Sequence, residues 1–119
     1  MSTQFYRNLV NNLPDALIVS DLNGLIQIWN NRAAEILRIS AAEALGKSLD
    51  LIIPEQLRNN HWAGFHKAIS ENHLKLNKKV VRTKAICGDN TVVYLNIAFS
   101  LVHGEDGKPI GVSAIARLD

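Results

Sequence analysis

The sequence predicts an α+β fold built on an antiparallel sheet, and three observations carry that prediction. Helical and strand-like periodicities follow one another as helix, two strands, several helices, three strands, without the βαβ alternation of a parallel sheet. An Asn23-Gly24 pair divides two short apolar runs, the pattern of a tight hairpin turn. Val93, Leu95, Ile97, Phe99 and Leu101 alternate without a break, which places one face of a strand in the core.

Taken in order, Phe5, Leu9 and Leu13 recur every four residues and predict a short amphipathic helix over 3–13, ended by Pro14. Residues 1–12 are read as an N-terminal helical segment and 13–119 as the domain proper. Strands are expected at 16–20 and 25–29, around the Asn23-Gly24 turn. Asn30-Asn31 then opens a helix carrying Ala33, Ala34, Ile36 and Leu37. Ser40 and Glu43 stand three apart, as in a capping box, ahead of another short helix stopped by Gly46. Pro54 precedes the longest expected helix, 55–71, whose inward stripe is Leu57, His61, Phe65 and Ala68. Three strands follow, at 74–86, 92–103 and 110–117, separated by Gly88-Asp89-Asn90 and by the Gly104–Pro109 loop.

Composition narrows the function classes. A chain of 119 residues with 47% hydrophobic and 20% charged residues suits one domain with a packed core. The net charge of +2 is too small to imply direct nucleic-acid binding. Lys78, Lys79, Arg82 and Lys84 form a basic cluster that reads as a solvated or edge strand. Cys87 is the single cysteine, so no intrachain disulfide can form, which suits a reducing compartment. No apolar run approaches the ~18 residues of a membrane span, and no leader-like start is visible. The expected location is cytoplasmic, with no membrane partner.

The element order and these turns resemble the PAS family. The residues that carry the resemblance are NLPDALIVSDLNGLIQIWNNRAAEIL (12–37), GKSLDLIIPEQLR (46–58), CGDNTVVYLNIAFSLV (87–102) and DGKPIGVSAIARLD (106–119). It implies a five-stranded antiparallel sheet in the order 2-1-5-4-3, with helices over one face enclosing a pocket. It also implies a sensor that signals by contact, beside an output kinase, transcription-factor or other signalling domain. Ile28, Ile52, Leu57, His61, Phe65, Val81, Leu95 and Ile97 are the residues expected to line that pocket.

His61 is the residue with the sharpest chemistry. An inward imidazole in an apolar cavity is what a haem iron takes from a protein. The segment LIIPEQLRNNHWAGF (51–65) resembles the haem-binding PAS domains of rhizobial oxygen-sensor kinases, which have a Pro, an Arg four residues later and the iron-ligating His three further on; Pro54, Arg58 and His61 match. Haem b, held through His61 Nε2, is the cofactor that this implies. The departure lies on the third strand, where those sensors hold bound oxygen with an Arg. Val81 occupies that place here, and alternation sends Arg82 to the opposite face. The alternatives are a small organic ligand in the same pocket, or a cofactor-free module that dimerises.

Other residues read more plainly. His66 lies about 140° around the helix from His61 and falls on a partly exposed stripe with Trp62, Ile69 and His73. Trp29 reads as core and Cys87 as a passive small residue. No phosphate loop, nucleophile elbow or HExxH motif occurs, so the chain is expected not to be an enzyme. A homodimer through the N-terminal helix and the outer sheet face is expected. A helix of this length with one narrow stripe is not stable alone.

Overall fold

The structure is a computed structural model that describes residues 2–119. Residue 1 of the segment read as 1–12 lies outside the described residues. Helix α1 spans Thr3–Asn11, with Ser2 Oγ accepting the Phe5 N–H at 3.1 Å. Strands β1 (Ala16–Ser20) and β2 (Ile26–Trp29) form the first hairpin. Helices α2 (Asn31–Leu37) and α3 (Ala41–Ala44) follow, then two 3-10 turns, Leu49–Ile52 and Glu55–Leu57. Helix α4 spans Arg58–Glu71, and β3 (Val80–Ile86), β4 (Val92–His103) and β5 (Pro109–Leu118) complete the chain. The sheet order is β2-β1-β5-β4-β3, every neighbouring pair antiparallel, as the resemblance implied. Among the described residues no helix is long and apolar enough to cross a membrane.

Local chemistry accounts for most boundaries. Asn30 caps α2 by accepting the Ala33 N–H, and Ser40 and Glu43 close a reciprocal capping box on α3. The long helix begins as a 3-10 turn, with Leu57 N–H donating to Pro54 O, and becomes α-helical at Arg58. It ends at Asn72, which takes the left-handed conformation at φ 48°.

Two expected elements differ. The third strand begins at Val80, not at residue 74. Lys78 sits at φ 61°, and the N–H groups of Asn77 and Lys79 bond back to Leu74 and Leu76, so 74–79 is spent in turns. Helix α1 stops at Asn11, so Leu13 lies beyond it, and Phe5 and Leu9 are 50% and 52% exposed. The helix therefore does not dock on its own sheet. It is tied to the body where Asn30 Nδ2 donates to Val10 O at 2.9 Å.

The sheet has an apolar inner face. Ala16 and Ile18 of β1, Ala85 of β3, Leu95 and Ile97 of β4 and Ala116 of β5 are buried against Ala33, Ile36 and Leu37 of α2 and Ala44 of α3. Trp29 joins them and donates Nε1–H to Ile39 O at 2.9 Å. Burial of each Ile, Leu or larger side chain in this layer contributes about 1.5–3 kcal/mol. A β-bulge at Gln27 resets β2: Val19 pairs with Ile28, but Ser20 pairs with Ile26. Ile26 and Trp29 consequently both face the core, and Ile28 turns to the outer face at 37% exposure.

Candidate functional site

Helix α4 carries His61, Phe65 and Ala68 on the side turned towards the sheet, with Phe65 and Ala68 buried. The His61 ring lies 4.6 Å from Trp62, edge-on, and 5.8 Å from Phe65. Its Nδ1 is fully enclosed and has no hydrogen-bond partner among the described residues. Burial lowers the pKa of this imidazole, Asp50 acts in the other direction and His66 adds to the lowering, so the ring is neutral near pH 7.

Seven of the eight residues expected to line a pocket lie on the helical side of the sheet. Leu95 and Ile97 are buried on β4, and Ile52 and Val81 pack against the same core. Phe65 is buried on α4 but lies outside that core cluster. Leu57 sits at the rim, in a groove of about 280 Å³ shared with Pro54, Thr83 and Tyr94 at the β3 edge. Ile28 is the exception, and the expectation for it is corrected: the bulge at Gln27 reverses its side of the sheet. A second concavity of about 550 Å³ opens between Ile39, Leu51 and Cys87. Neither concavity includes His61. The enclosed Nδ1 of His61 is reached only when the side chains around it move apart.

The surroundings of α4 are held by contacts that the sequence did not disclose. Arg58 donates from Nε to Ile53 O at 3.1 Å and from its terminal nitrogen to Asp50 O at 3.2 Å. Trp62 donates Nε1–H to Asp50 Oδ1 at 2.7 Å. The indole also lies directly beneath Gly24, where a Cβ would stand 2.2 Å from it. Trp62 is partly exposed, as expected for its stripe, and its buried part makes these contacts. Of these residues, Gly24 carried a sequence signal through the Asn23-Gly24 turn and Arg58 through its spacing from Pro54 and His61.

The remaining residues take the expected places. Arg82 points to the outer face, pairs with Asp119 and lies 3.8 Å over the Tyr94 ring, while its neighbour Val81 pairs with Ile97. β3 is an edge strand with Arg82 and Lys84 exposed along it, and Lys78 and Lys79 are exposed in the turn just before it. His66 stacks on the Trp62 ring at 5.9 Å and is exposed, as is His73. Cys87 is buried, with its thiol 3.5 Å from Ile36 O. Among the described residues no three His, Cys, Asp or Glu side chains gather to hold a metal ion.

A neutral, unpaired imidazole among apolar side chains is a donor that suits haem iron. The enclosed nitrogen is Nδ1, however, where Nε2 was expected to face the ligand. An imidazole that ligates through Nε2 ordinarily gives its Nδ1–H to an acceptor, and none is within reach of His61. Val81 offers no hydrogen bond on the sheet side.

Comparison with known proteins agrees with this architecture. The family model described as PAS fold matches residues 4–118. The sensor protein FixL of Bradyrhizobium diazoefficiens is 28% identical over 101 residues, which cover 83% of this chain and 20% of FixL. The chain thus spans about a fifth of the length of that curated relative. Among solved structures, a PAS domain from Colwellia psychrerythraea superposes with a TM-score of 0.83 at 17% identity, covering 98% of this chain and 95% of that one. The PAS domain of a LuxR-family transcriptional regulator from Burkholderia thailandensis, solved in complex with ethanol, gives 0.69 at 15% identity, over 92% and 94%. With the strand order and the helical layer in place, and the family model matching nearly every described residue, this chain is a member of the PAS-fold family.

Proposed function

We propose that this PAS domain is a ligand-responsive sensor whose ligand docks against His61, between α4 and the inner face of the sheet. It acts by binding and by protein contact rather than by catalysis. The observation that carries the reading is the enclosed His61 Nδ1 without a partner. A buried polar atom left unpaired costs about 1–3 kcal/mol, and a ligand that pairs with it recovers that energy only in the bound state. Phe65 lies 5.8 Å from the ring, and in this reading Leu57 and Val81 would add apolar contact around the ligand, with Ile52, Leu95 and Ile97 as the floor of its site. Binding there displaces α4 relative to β3 and β4, and an output domain of kinase or regulator type reads the displacement.

Haem b is the specific ligand proposed. The match of Pro54, Arg58 and His61 to the haem-binding spacing and the similarity to FixL support it. His61 would hold the iron, and the group would supply a site for diatomic gases. The chain's own part is to keep His61 neutral and to surround the group with apolar side chains. Arg58 is already committed to the carbonyls of Asp50 and Ile53, so it fixes the start of α4. The test is a visible spectrum of protein supplied with haem. A Soret band is expected, lost in His61→Ala and kept in His66→Ala and His73→Ala. Wild type without a band, or His61→Ala with a wild-type band, removes haem. A small organic molecule, of the kind bound by the Burkholderia regulator, is then the ligand class to pursue.

A cofactor-free interaction module is the second reading. It is favoured by α1, whose Phe5, Tyr6 and Leu9 side chains are about half exposed. A homodimer formed through α1 and the outer sheet face would bury them.

A further inference from the structure

Trp62 makes three contacts that no other α4 side chain makes together. Its Nε1–H reaches the Asp50 carboxylate at 2.7 Å, in the 3-10 turn Leu49–Ile52. Its six-membered ring presses on the backbone of Gly24, which is buried in the β1–β2 turn at φ 77° and has no side chain to keep the ring away. It also meets the His61 ring in a T-shaped contact, with 4.6 Å between ring centroids. Asp50 and Gly24 are themselves fixed. Arg58 holds the Asp50 carbonyl, and Gly24 O accepts the Leu49 N–H at 3.0 Å. The indole therefore fastens α4 to a rigid ledge made of a turn 38 residues earlier in the chain and of the segment that precedes the helix.

We infer that Trp62 is a latch: it holds α4 closed over His61, and a ligand reaches His61 when the indole releases Asp50 and Gly24. The inference rests on the reading that the His61 site takes a ligand. The geometry gives the latch its position. Phe65 and His61 lie on the inner side of α4, and the His61 Nδ1 is enclosed while the helix is down. Any group that inserts beside the ring must lift this part of α4, and Trp62, the next residue, cannot stay in place when it does. The opened state loses a hydrogen bond to a charged acceptor and the packing on Gly24, both of which re-form on closure. Occupancy of the site is thereby coupled to the β1–β2 turn, at the far end of the sheet from β3.

Amide hydrogen exchange of the whole chain tests the latch without a ligand. In Trp62→Phe, which lacks the Nε1–H, and in Asp50→Ala, which lacks the acceptor, exchange along residues 58–71 should rise about tenfold or more, the equilibrium equivalent of a lost hydrogen bond to a charged group. Exchange in β4 and β5 should stay at wild-type rates. Unchanged exchange in α4, or a rise shared equally by β4 and β5, overturns the latch, because the contacts then either do not restrain the helix or serve global stability alone. Stopped-flow mixing with ferric haem supplies the second readout: Trp62→Phe should form the Soret band about tenfold faster than wild type. Equal rates overturn the latch as the gate to His61. If neither protein forms a Soret band while α4 exchange rises as expected, the latch stands on that rise and haem is removed as the ligand.

Discussion

Gly24 carries two constraints at once. Its φ of 77° belongs to the left-handed region, and its missing Cβ is the space that the Trp62 ring occupies. Gly24→Ala should destabilise the domain by about 2–4 kcal/mol, from the strained turn and the overlap together, measured by urea unfolding. Asn30 is 1% exposed and makes four bonds: Oδ1 accepts from the N–H groups of Leu17 and Ala33, and Nδ2 donates to Val10 O and Asp15 O. Asn30→Ala leaves these groups unpaired at the junction of α1, β1 and α2, and should cost about 2–4 kcal/mol in the same measurement. His61 binds its proton more weakly in the folded chain than in the unfolded one, whose value is near 6.5. As pH falls below that value the unfolded chain takes up the proton first, so stability falls, and it is regained as pH rises towards neutral. His61→Phe removes this difference. Between about pH 7.5 and about pH 5.5 the wild type should lose more stability than the variant, and equal losses would mean that His61 titrates normally. At this scale the sequence disclosed the Asn23-Gly24 turn and the inward stripe of His61. It did not disclose the indole over Gly24, because a contact between residues 24 and 62 leaves no periodic trace.

Elements were more legible than their faces. Alternation located β1, β2, β4 and β5 to within a residue or so, and capping residues located α2 and α3. Parity failed at β2, since a period-two pattern contains no mark of the bulge that turns Ile28 outward. The beginning of β3 failed for a different reason. Leu74 and Leu76 continue an apparent alternation, whereas Asn72 and Lys78 take left-handed backbone conformations that end it. Helix α1 shows the limit of amphipathicity as a guide, because a stripe tells that a helix needs a surface and not which one. Deletion of residues 1–12 should change the sedimentation coefficient from that of an assembly to that of a single chain. A truncated protein that sediments as an assembly would show that α1 is dispensable for it. The deletion also removes the Val10 carbonyl from Asn30 Nδ2, so a modest loss of stability, about 1 kcal/mol, should accompany it.

Over the whole molecule, the sheet places the first strand between its hairpin partner and the last strand, so β1 has both neighbours only when residues 109–118 are present. A chain stopped after residue 108 should show no cooperative unfolding transition, since β1 and β4 would each present a bare edge. Such long-range pairing was legible only through the family resemblance, because nothing local to 16–20 says that 112–116 will lie beside it. The same pairing sets how the domain bears mechanical load. Ala16 lies opposite Ala116, and Asp15 and Arg117 are joined at 2.8 Å, so the beginning of β1 and the finish of β5 sit side by side. Tension applied between residues 13 and 119 therefore opens the β1–β5 ladder like a zipper, one hydrogen bond after another. Tension applied between residue 22 and residue 119 instead slides the two strands lengthwise and loads all their bonds together. In single-molecule pulling the first pair of handles should rupture the domain at a clearly lower force than the second. A module gripped at its two neighbouring ends would thus yield to strain between flanking segments long before its sheet failed along the strands.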